Sequence, residues 1–191
     1  MGDQSYDVII IGAGPGGYTL ALECGRRGMR TALIEEREAL GGTCLNVGCI
    51  PSKALLESSE LYDRLLHEAP KHGITASDDS LGIDLKAMMS RKNAVVKKLT
   101  DGISALMKAR NVDILRGRGI LTAPGRVNVS SQEISAPRIV LASGSDPAAL
   151  PDLPFDHKRV IDSTDALALG KIPKSLAVIG AGAVGLEIGS I

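Results

Sequence analysis

The chain is 191 residues long with 22 basic and 22 acidic residues, so no bulk field draws it to nucleic acid or to an acidic membrane surface. Hydrophobic residues make up 44% of it, enough for a real core, yet the aromatics are only Tyr6, Tyr18, Tyr62 and Phe155, so that core is aliphatic. No apolar run reaches the roughly 20 residues of a membrane span, and residues 1–7 are too short and polar for a secretory signal; we expect a soluble, cytoplasmic protein with neither nucleic acid nor membrane as partner.

Asp7–Ile11 is a continuous aliphatic run, the pattern of a strand buried on both faces of a parallel sheet. It leads into Gly12, Gly14, Gly16 and Gly17, and then into Tyr18–Arg27, a helix closed by Gly28. Thr31–Ile34 is a second buried strand ending at Glu35. The result is a complete βαβ start, with a Gly-x-Gly-x-x-Gly turn and an acid 23 residues after its first glycine. Gly12 allows the tight turn, Gly14 lets backbone approach a pyrophosphate, and Gly17 lets helix and strand pack closely. The helix N-terminus offers N–H groups to phosphate, and Glu35 can accept from a ribose hydroxyl.

The stretch Gly41–Lys53 holds Cys44 and Cys49, two of the three cysteines. On an ideal helix their Cα atoms would stand about 8.7 Å apart, whereas a disulfide needs roughly 7 Å or less. If the two pair, the turn between them is distorted, and Gly48 is the residue that permits it. Without a secretory signal, thiols here stay reduced unless they do redox work, and a strained, accessible disulfide is the easily reduced kind, so the pattern is that of a cycling dithiol. Cys24, within the first helix, reads as a small core residue.

Pro51 suits a first helical turn, and Ala54, Leu55, Ser58, Leu61, Tyr62 and Leu65 recur at helical spacing up to Pro70. Residues 70–83 form a polar connection. A long helix is expected over Asp84–Arg110, with an apolar stripe through Leu85, Met88, Met89, Val95, Val96, Leu99, Ile103, Leu106 and Met107. Its basic cluster, Arg91, Lys92, Lys97 and Lys98, reads as a solvated helix face. Val112–Leu115 is a third strand, followed by Gly117, Gly119 and short β segments that form a small meander. Arg138–Ala142 is another buried strand, ending in Ser143, Gly144 and Ser145.

Four prolines (147, 151, 154 and 173) mark a linker, and Ser163–Asp165 reads as a helix start. Then the opening grammar recurs: a strand at Ser175–Ile179 runs into Gly180, Gly182 and Gly185, with Glu187 beyond. The chain stops at Ile191, partway along the next helix, and we expect it to be a piece of a longer protein. The fold class is α/β: a Rossmann-like dinucleotide-binding domain over 1–147 with parallel sheet, helical crossover and β-meander, a linker over 148–174, and the truncated start of a second Rossmann-like domain over 175–191.

One dinucleotide turn, a Gly-Gly-Thr-Cys-x4-Cys segment and a second turn together resemble the flavoprotein disulfide oxidoreductases. Within them the chain is similar to the N-terminal portion of the dihydrolipoamide dehydrogenases, through Ile50-Pro-Ser-Lys53, Leu99-Thr-Asp-Gly-Ile103, Ser163-Thr-Asp-Ala166 and Gly185. That resemblance runs over the whole chain. It implies FAD for the first domain and NAD for the second, with Gly12, Gly14, Gly16, Gly17 and Glu35 binding the FAD pyrophosphate and adenosine ribose. Gly42, Thr43 and Lys53 would line the flavin, Gly117 or Gly119 would meet the adenine, and Ser143-Gly144-Ser145 stands where the family has Thr-Gly-Ser. Gly180, Gly182 and Gly185 would hold NAD.

The resemblance further implies that Cys44 exchanges with a dihydrolipoamide-type dithiol while Cys49 is the charge-transfer thiol beneath the flavin, with Lys53 and Glu187 ion-paired near flavin N5. Electrons would pass from the dithiol through the Cys44–Cys49 disulfide and FAD to NAD+. The partner would be a lipoyl-bearing protein of a 2-oxo acid dehydrogenase complex, and the parent a homodimer; no metal is implied. Mercuric-type and glutathione-type reductases, or a non-catalytic nucleotide-binding remnant, are the alternatives. The family's general base is a His–Glu pair that none of His67, His72 or His157 matches. All three read as surface histidines, and the chain alone is expected not to turn over dihydrolipoamide with NAD+.

Overall fold

The central structural fact is that four aliphatic strands find one another in parallel. The computed structural model describes residues 4–75 and 81–191, so part of the polar connection expected at 70–83 lies outside the described residues. The chain forms two compact units, Met1–Asn46 with Lys97–Asp146, and Val47–Val96 with Pro147–Ile191.

In the first unit β1 (Gln4–Ser5) precedes β2 (Val8–Ile11), which leads through α1 (Pro15–Arg26) to β3 (Thr31–Glu35). Later in the chain come β4 (Asp113–Arg116), β5 (Gly119–Ala123), β6 (Arg126–Val129), β7 (Gln132–Ser135) and β8 (Ile139–Leu141). The parallel sheet has the order β4-β3-β2-β8, with Ile9 opposite both Ala32 and Ile139. Val8, Ile9, Ile10, Ala32, Leu33 and Ile34 are all buried, as strands covered on both faces must be. The expected strand at the far edge is different: Ile139 and Val140 are only half-buried and Leu141 is 66% exposed, because β8 is an edge strand with one neighbour.

The meander β5-β6-β7 is antiparallel, and β1, which no sequence signal announced, adds to β7 in parallel. Ile9, Ala32 and Ile34 from one sheet cluster with Val127, Val129, Ile134 and Ala136 around Tyr6 from the other. Fully burying each isoleucine here contributes about 1.5–3 kcal/mol. The period of two along β2 turns Ile10 to the opposite face, where it meets α1 at Gly17.

The second unit is built from helices: α3 (Cys49–His67), a 3-10 turn at Ala69–His72, the first half of α4 (Leu85–Ala109), the single turn α5 (Ser163–Ala166) and α6 (Ala183–Ser190). Preceding α3, α2 (Gly42–Val47) is a short helix at the end of the first unit's opening segment. Asp162, the extended N-cap, and Asp165 cap α5 reciprocally, and the helix begins at Ser163 as expected.

Three expectations need correction here. Lys92 belongs to no solvated face: it is 8% exposed, and its ammonium donates to Leu167 O at 2.7 Å, with burial pushing its pKa below the ordinary lysine value. Leu99 and Leu106, assigned to the apolar stripe, are 40% and 49% exposed, while Thr100, Ile103 and Met107 are the buried residues of that half of α4. The nine-residue stripe was wider than one helix face. Third, Ser175–Ile179 forms no strand: among the described residues it joins neither sheet, and a parallel strand exists only as part of a ladder.

Candidate functional site

The loops that leave β2, β3, β4 and β8 gather at the carboxyl ends of the parallel strands, where open α/β sheets bind ligands. Gly12 turns the chain with φ of +103°, and a Cβ there would lie 2.1 Å from Ala142 O. Gly12 N–H donates to Ile34 O at 2.8 Å. A Cβ on Gly17 would lie 1.8 Å from Gly12 O, so helix and turn touch through bare backbone. Gly14 is the extended N-cap of α1 (φ −69°, ψ −178°), and Pro15 takes the first helical position.

A dinucleotide pyrophosphate fits this turn on three counts. No side chain caps α1, no acid stands in its first turn, and a Cβ on Gly16 would meet nothing within 4 Å. The buried carboxylate of Glu35 lies beside the turn: Oε2 accepts from Ala13 N–H at 2.9 Å and Oε1 from Arg37 N–H at 3.0 Å. Each oxygen keeps further acceptor capacity for a hydroxyl.

Gly42 closes onto the same turn. A Cβ on it would lie 2.5 Å from Gly14 Cα, and Gly41 N–H donates to Ala13 O at 2.9 Å. Gly117, at the end of β4, donates from its N–H to Glu35 O at 3.0 Å, and Gly119 packs on Ile11. Ser143 borders Gly12, while Ser143, Gly144 and Ser145 are exposed. The structure thus brings Gly12, Gly14, Gly17, Glu35, Gly42, Gly117 and Ser143 together. Asn46, whose amide holds the Gly42 segment, was missed by sequence reasoning because its partners are backbone carbonyls and leave no pattern.

Thr43 is exposed and Cys44 half-buried on α2, and Cys49 is exposed as the first residue of α3; both cysteines are thiols in this structure. Gly48 leaves the helical region (φ −140°, ψ −115°) and separates α2 from α3, so the two cysteines do not share one regular helix. Cys24 is 7% exposed, and burial pushes its thiol pKa up.

In the second unit Ser52 Oγ donates back to Gly48 O at 2.8 Å, fastening the first turn of α3. One turn on from Cys49, Lys53 Nζ donates to both carboxylate oxygens of Glu187 on α6, at 2.6 Å each. Arg91 grips the same stretch of α3 through Ala54 O at 2.7 Å and an ion pair with Glu57. The second glycine turn repeats the first: Gly180 has φ of +106°, Gly182 is the extended N-cap of α6, and a Cβ on Gly185 would lie 2.4 Å from Gly180 O. His67, His72 and His157 are all exposed.

The chain is matched over residues 6–191 by the family model described as pyridine nucleotide-disulphide oxidoreductase. It is 47% identical over 195 residues to a mitochondrial dihydrolipoyl dehydrogenase of Pisum sativum, covering 100% of this chain and 38% of that relative. It is also 47% identical over 194 residues to dihydrolipoyl dehydrogenase 3 of Pseudomonas aeruginosa, covering 98% and 41% respectively. Among solved structures it resembles the HOCl-induced flavoprotein disulfide reductase RclA from Escherichia coli, with a TM-score of 0.79 and 29% identity over 95% of this chain and 38% of that one. The chain therefore spans about two fifths of the length of these relatives.

The expectation of a cytoplasmic location is overturned. Several of the similar relatives are named as mitochondrial, with bacterial ones beside them. That expectation rested on the lack of a membrane-length apolar run and of a secretory signal in residues 1–7, and neither feature tells one compartment from another. No helix among the described residues is long and apolar enough to cross a membrane.

Proposed function

Because the chain belongs to the pyridine nucleotide-disulphide oxidoreductase family, whose members use FAD and NAD, we propose that it is the N-terminal part of a dihydrolipoyl dehydrogenase-type enzyme that oxidises a dithiol through Cys44 and Cys49. The observation that carries this reading is the Lys53–Glu187 pair. It ties the helix that begins at Cys49 to the helix that opens from the second glycine turn, so a thiol, a cation and a dinucleotide turn share one compact unit. Residues 1–147 act as the FAD-binding domain, 148–174 as a linker and 175–191 as the opening of the NAD-binding domain.

Gly12, Gly14, Gly16, Gly17 and Glu35 hold the FAD pyrophosphate and ribose, assisted by Gly42, Thr43, Lys53, Gly117 or Gly119, and Ser143–Ser145. Gly180, Gly182 and Gly185 receive the pyrophosphate of NAD. When bound, FAD accepts the dithiol's two electrons and NAD+ takes them on as hydride.

The protein's own part is thiol exchange. In the oxidised enzyme a substrate thiolate attacks Cys44 Sγ, the Cys44–Cys49 bond breaks, and Cys49 leaves as thiolate. The second substrate thiolate then attacks the sulfur bound to Cys44, closing the substrate disulfide and releasing Cys44. The substrate loses two electrons and the cysteine pair gains them. Lys53, one turn from Cys49, keeps a positive charge on that side of α3. The dithiol donor is a lipoyl-bearing protein of a 2-oxo acid dehydrogenase complex, and the parent enzyme is a homodimer.

Mass spectrometry of the chain after mild oxidation tests the thiol chemistry. A Cys44–Cys49 disulfide that dihydrolipoamide reopens, with Cys24 left as a thiol throughout, is the expected result. A disulfide that includes Cys24, or none, contradicts it. Residues 1–191 alone do not couple dihydrolipoamide to NAD+. Support comes from its histidines, where His67 turns to Asp63 and His157 to Asp165 rather than to a glutamate. Steady NADH formation by the purified chain would overturn that statement.

A further inference from the structure

A carboxamide lies between the two cysteines. Asn46 Nδ2 donates to Gly42 O at 2.8 Å and to Leu40 O at 3.1 Å, so both of its amide protons point into the segment that precedes Cys44. The gripped segment is an unusual one. Gly41 and Gly42 both have positive φ, +108° and +58°, and Leu40 before them is fully buried. On its other side the segment rests on the first glycine turn, through Gly41 N–H to Ala13 O and the contact of Gly42 with Gly14. Cys44 rides on α2, a helix of six residues, too short to hold itself by its own ladder.

We propose that Asn46 is a positioning residue: by bonding Leu40 O and Gly42 O it braces the Gly41–Gly42 turn, which itself rests on the first glycine turn, and so fixes α2 and sets the accessibility of the Cys44 thiol to an attacking dithiol. The inference rests on the reading of Cys44 as the thiol that meets substrate. The chemistry of the clamp is specific, because two carbonyl oxygens need two donors from one short side chain. Aspartate has the same shape but would face those oxygens with a carboxylate. Leucine offers no donor, and glutamine is longer by a methylene. The contacts of Gly41 with Ala13 and of Gly42 with Gly14 join the braced segment before Cys44 to the turn that receives a pyrophosphate, all within the first unit.

The experiment labels the reduced full chain with iodoacetamide and reads the rate at each cysteine by mass spectrometry. Cys24, buried in α1, reports global opening, and Cys49, exposed, reports the intrinsic reagent rate. Asn46→Asp raises the Cys44 rate on the order of tenfold while Cys24 stays protected. Asn46→Ser, which retains one donor, gives a smaller rise. An unchanged Cys44 rate in Asn46→Asp overturns the proposal, as does an equal rise at Cys24 and Cys44 in both variants. If Asn46→Asp alone opens Cys24, the Cys44-to-Cys24 ratio in Asn46→Ser decides. Titrating the wild-type chain with FAD tests the cofactor reading separately; a chain that binds none removes that reading and leaves the labelling ratio to judge Asn46.

Discussion

At the residue scale, the glycines of the first turn are not equivalent, and the differences are measurable. A Cβ on Gly17 would enter Gly12 O, and one on Gly42 would enter Gly14 Cα from a left-handed backbone, whereas Gly16 faces open space inside a helix. Gly17→Ala and Gly42→Ala should each lower unfolding free energy by about 1–3 kcal/mol, while Gly16→Ala should leave it unchanged or raise it by up to about 1 kcal/mol. Chemical denaturation of the three variants decides. If Gly16→Ala proves as damaging as Gly17→Ala, this description of the turn is wrong. The Lys53–Glu187 pair calls for a different expectation. Both side chains are more than a third exposed (57% and 35%), so Glu187→Gln should shift stability by less than about 1 kcal/mol. Any larger effect on thiol chemistry is then electrostatic rather than structural. The motif made Gly12, Gly14 and Gly17 legible, because their spacing encodes their roles. It did not reveal that Gly42, 28 residues further on, packs on Gly14, nor that Asn46 and Lys92 hold backbone carbonyls. Tertiary contact with a carbonyl selects no particular sequence.

At the element scale, the β6–β7 hairpin and α5 carry testable consequences. Ser130 and Ser131 connect the hairpin with φ of +49° and +67°, the left-handed pair of a two-residue turn that favours Asn-Gly. Ser130 Oγ donates to Arg116 O, so Ser131 is the residue to change. Ser131→Gly should raise the denaturant midpoint by the equivalent of roughly 0.5–1 kcal/mol, and a lower midpoint would contradict the turn assignment. Beside α5, His157 Nδ1 lies 2.7 Å from Asp165 Oδ2, and Asp165, Asp162 and Asp156 together raise its pKa above the ordinary histidine value. A raised folded-state pKa stabilises below the unfolded value and loses that contribution as pH climbs through the folded one. Thermal stability should therefore fall as pH rises from about 6.5, and His157→Gln should flatten that slope; an unchanged slope rejects the pair as its source. The hydrophobic runs made β2 and β3 legible as buried strands. They overstated β8, since an aliphatic run does not say whether a strand has one neighbour or two. They missed β1 altogether, because two polar residues have no periodicity to read.

At the scale of the whole molecule, the chain uses one local solution twice. Gly12 and Gly180 share a φ near +105° (+103° and +106°), Gly14 and Gly182 are extended N-caps, and Gly17 and Gly185 press on the carbonyls of Gly12 and Gly180. Both turns were legible because their geometry is local. The strand expected before the second turn was not formed, because a ladder depends on residues elsewhere in the chain. Between the turns, the Gly48 break makes Cys44 and Cys49 unequal: one half-buried on a clamped short helix, the other exposed at the start of a long one. That asymmetry is the central claim, and absorbance of the FAD-reconstituted chain during partial reduction with dihydrolipoamide tests it most directly. A long-wavelength band should grow in the wild type, persist in Cys44→Ser and vanish in Cys49→Ser. A band that survives Cys49→Ser, or that is lost instead in Cys44→Ser, contradicts the assignment of the two thiols.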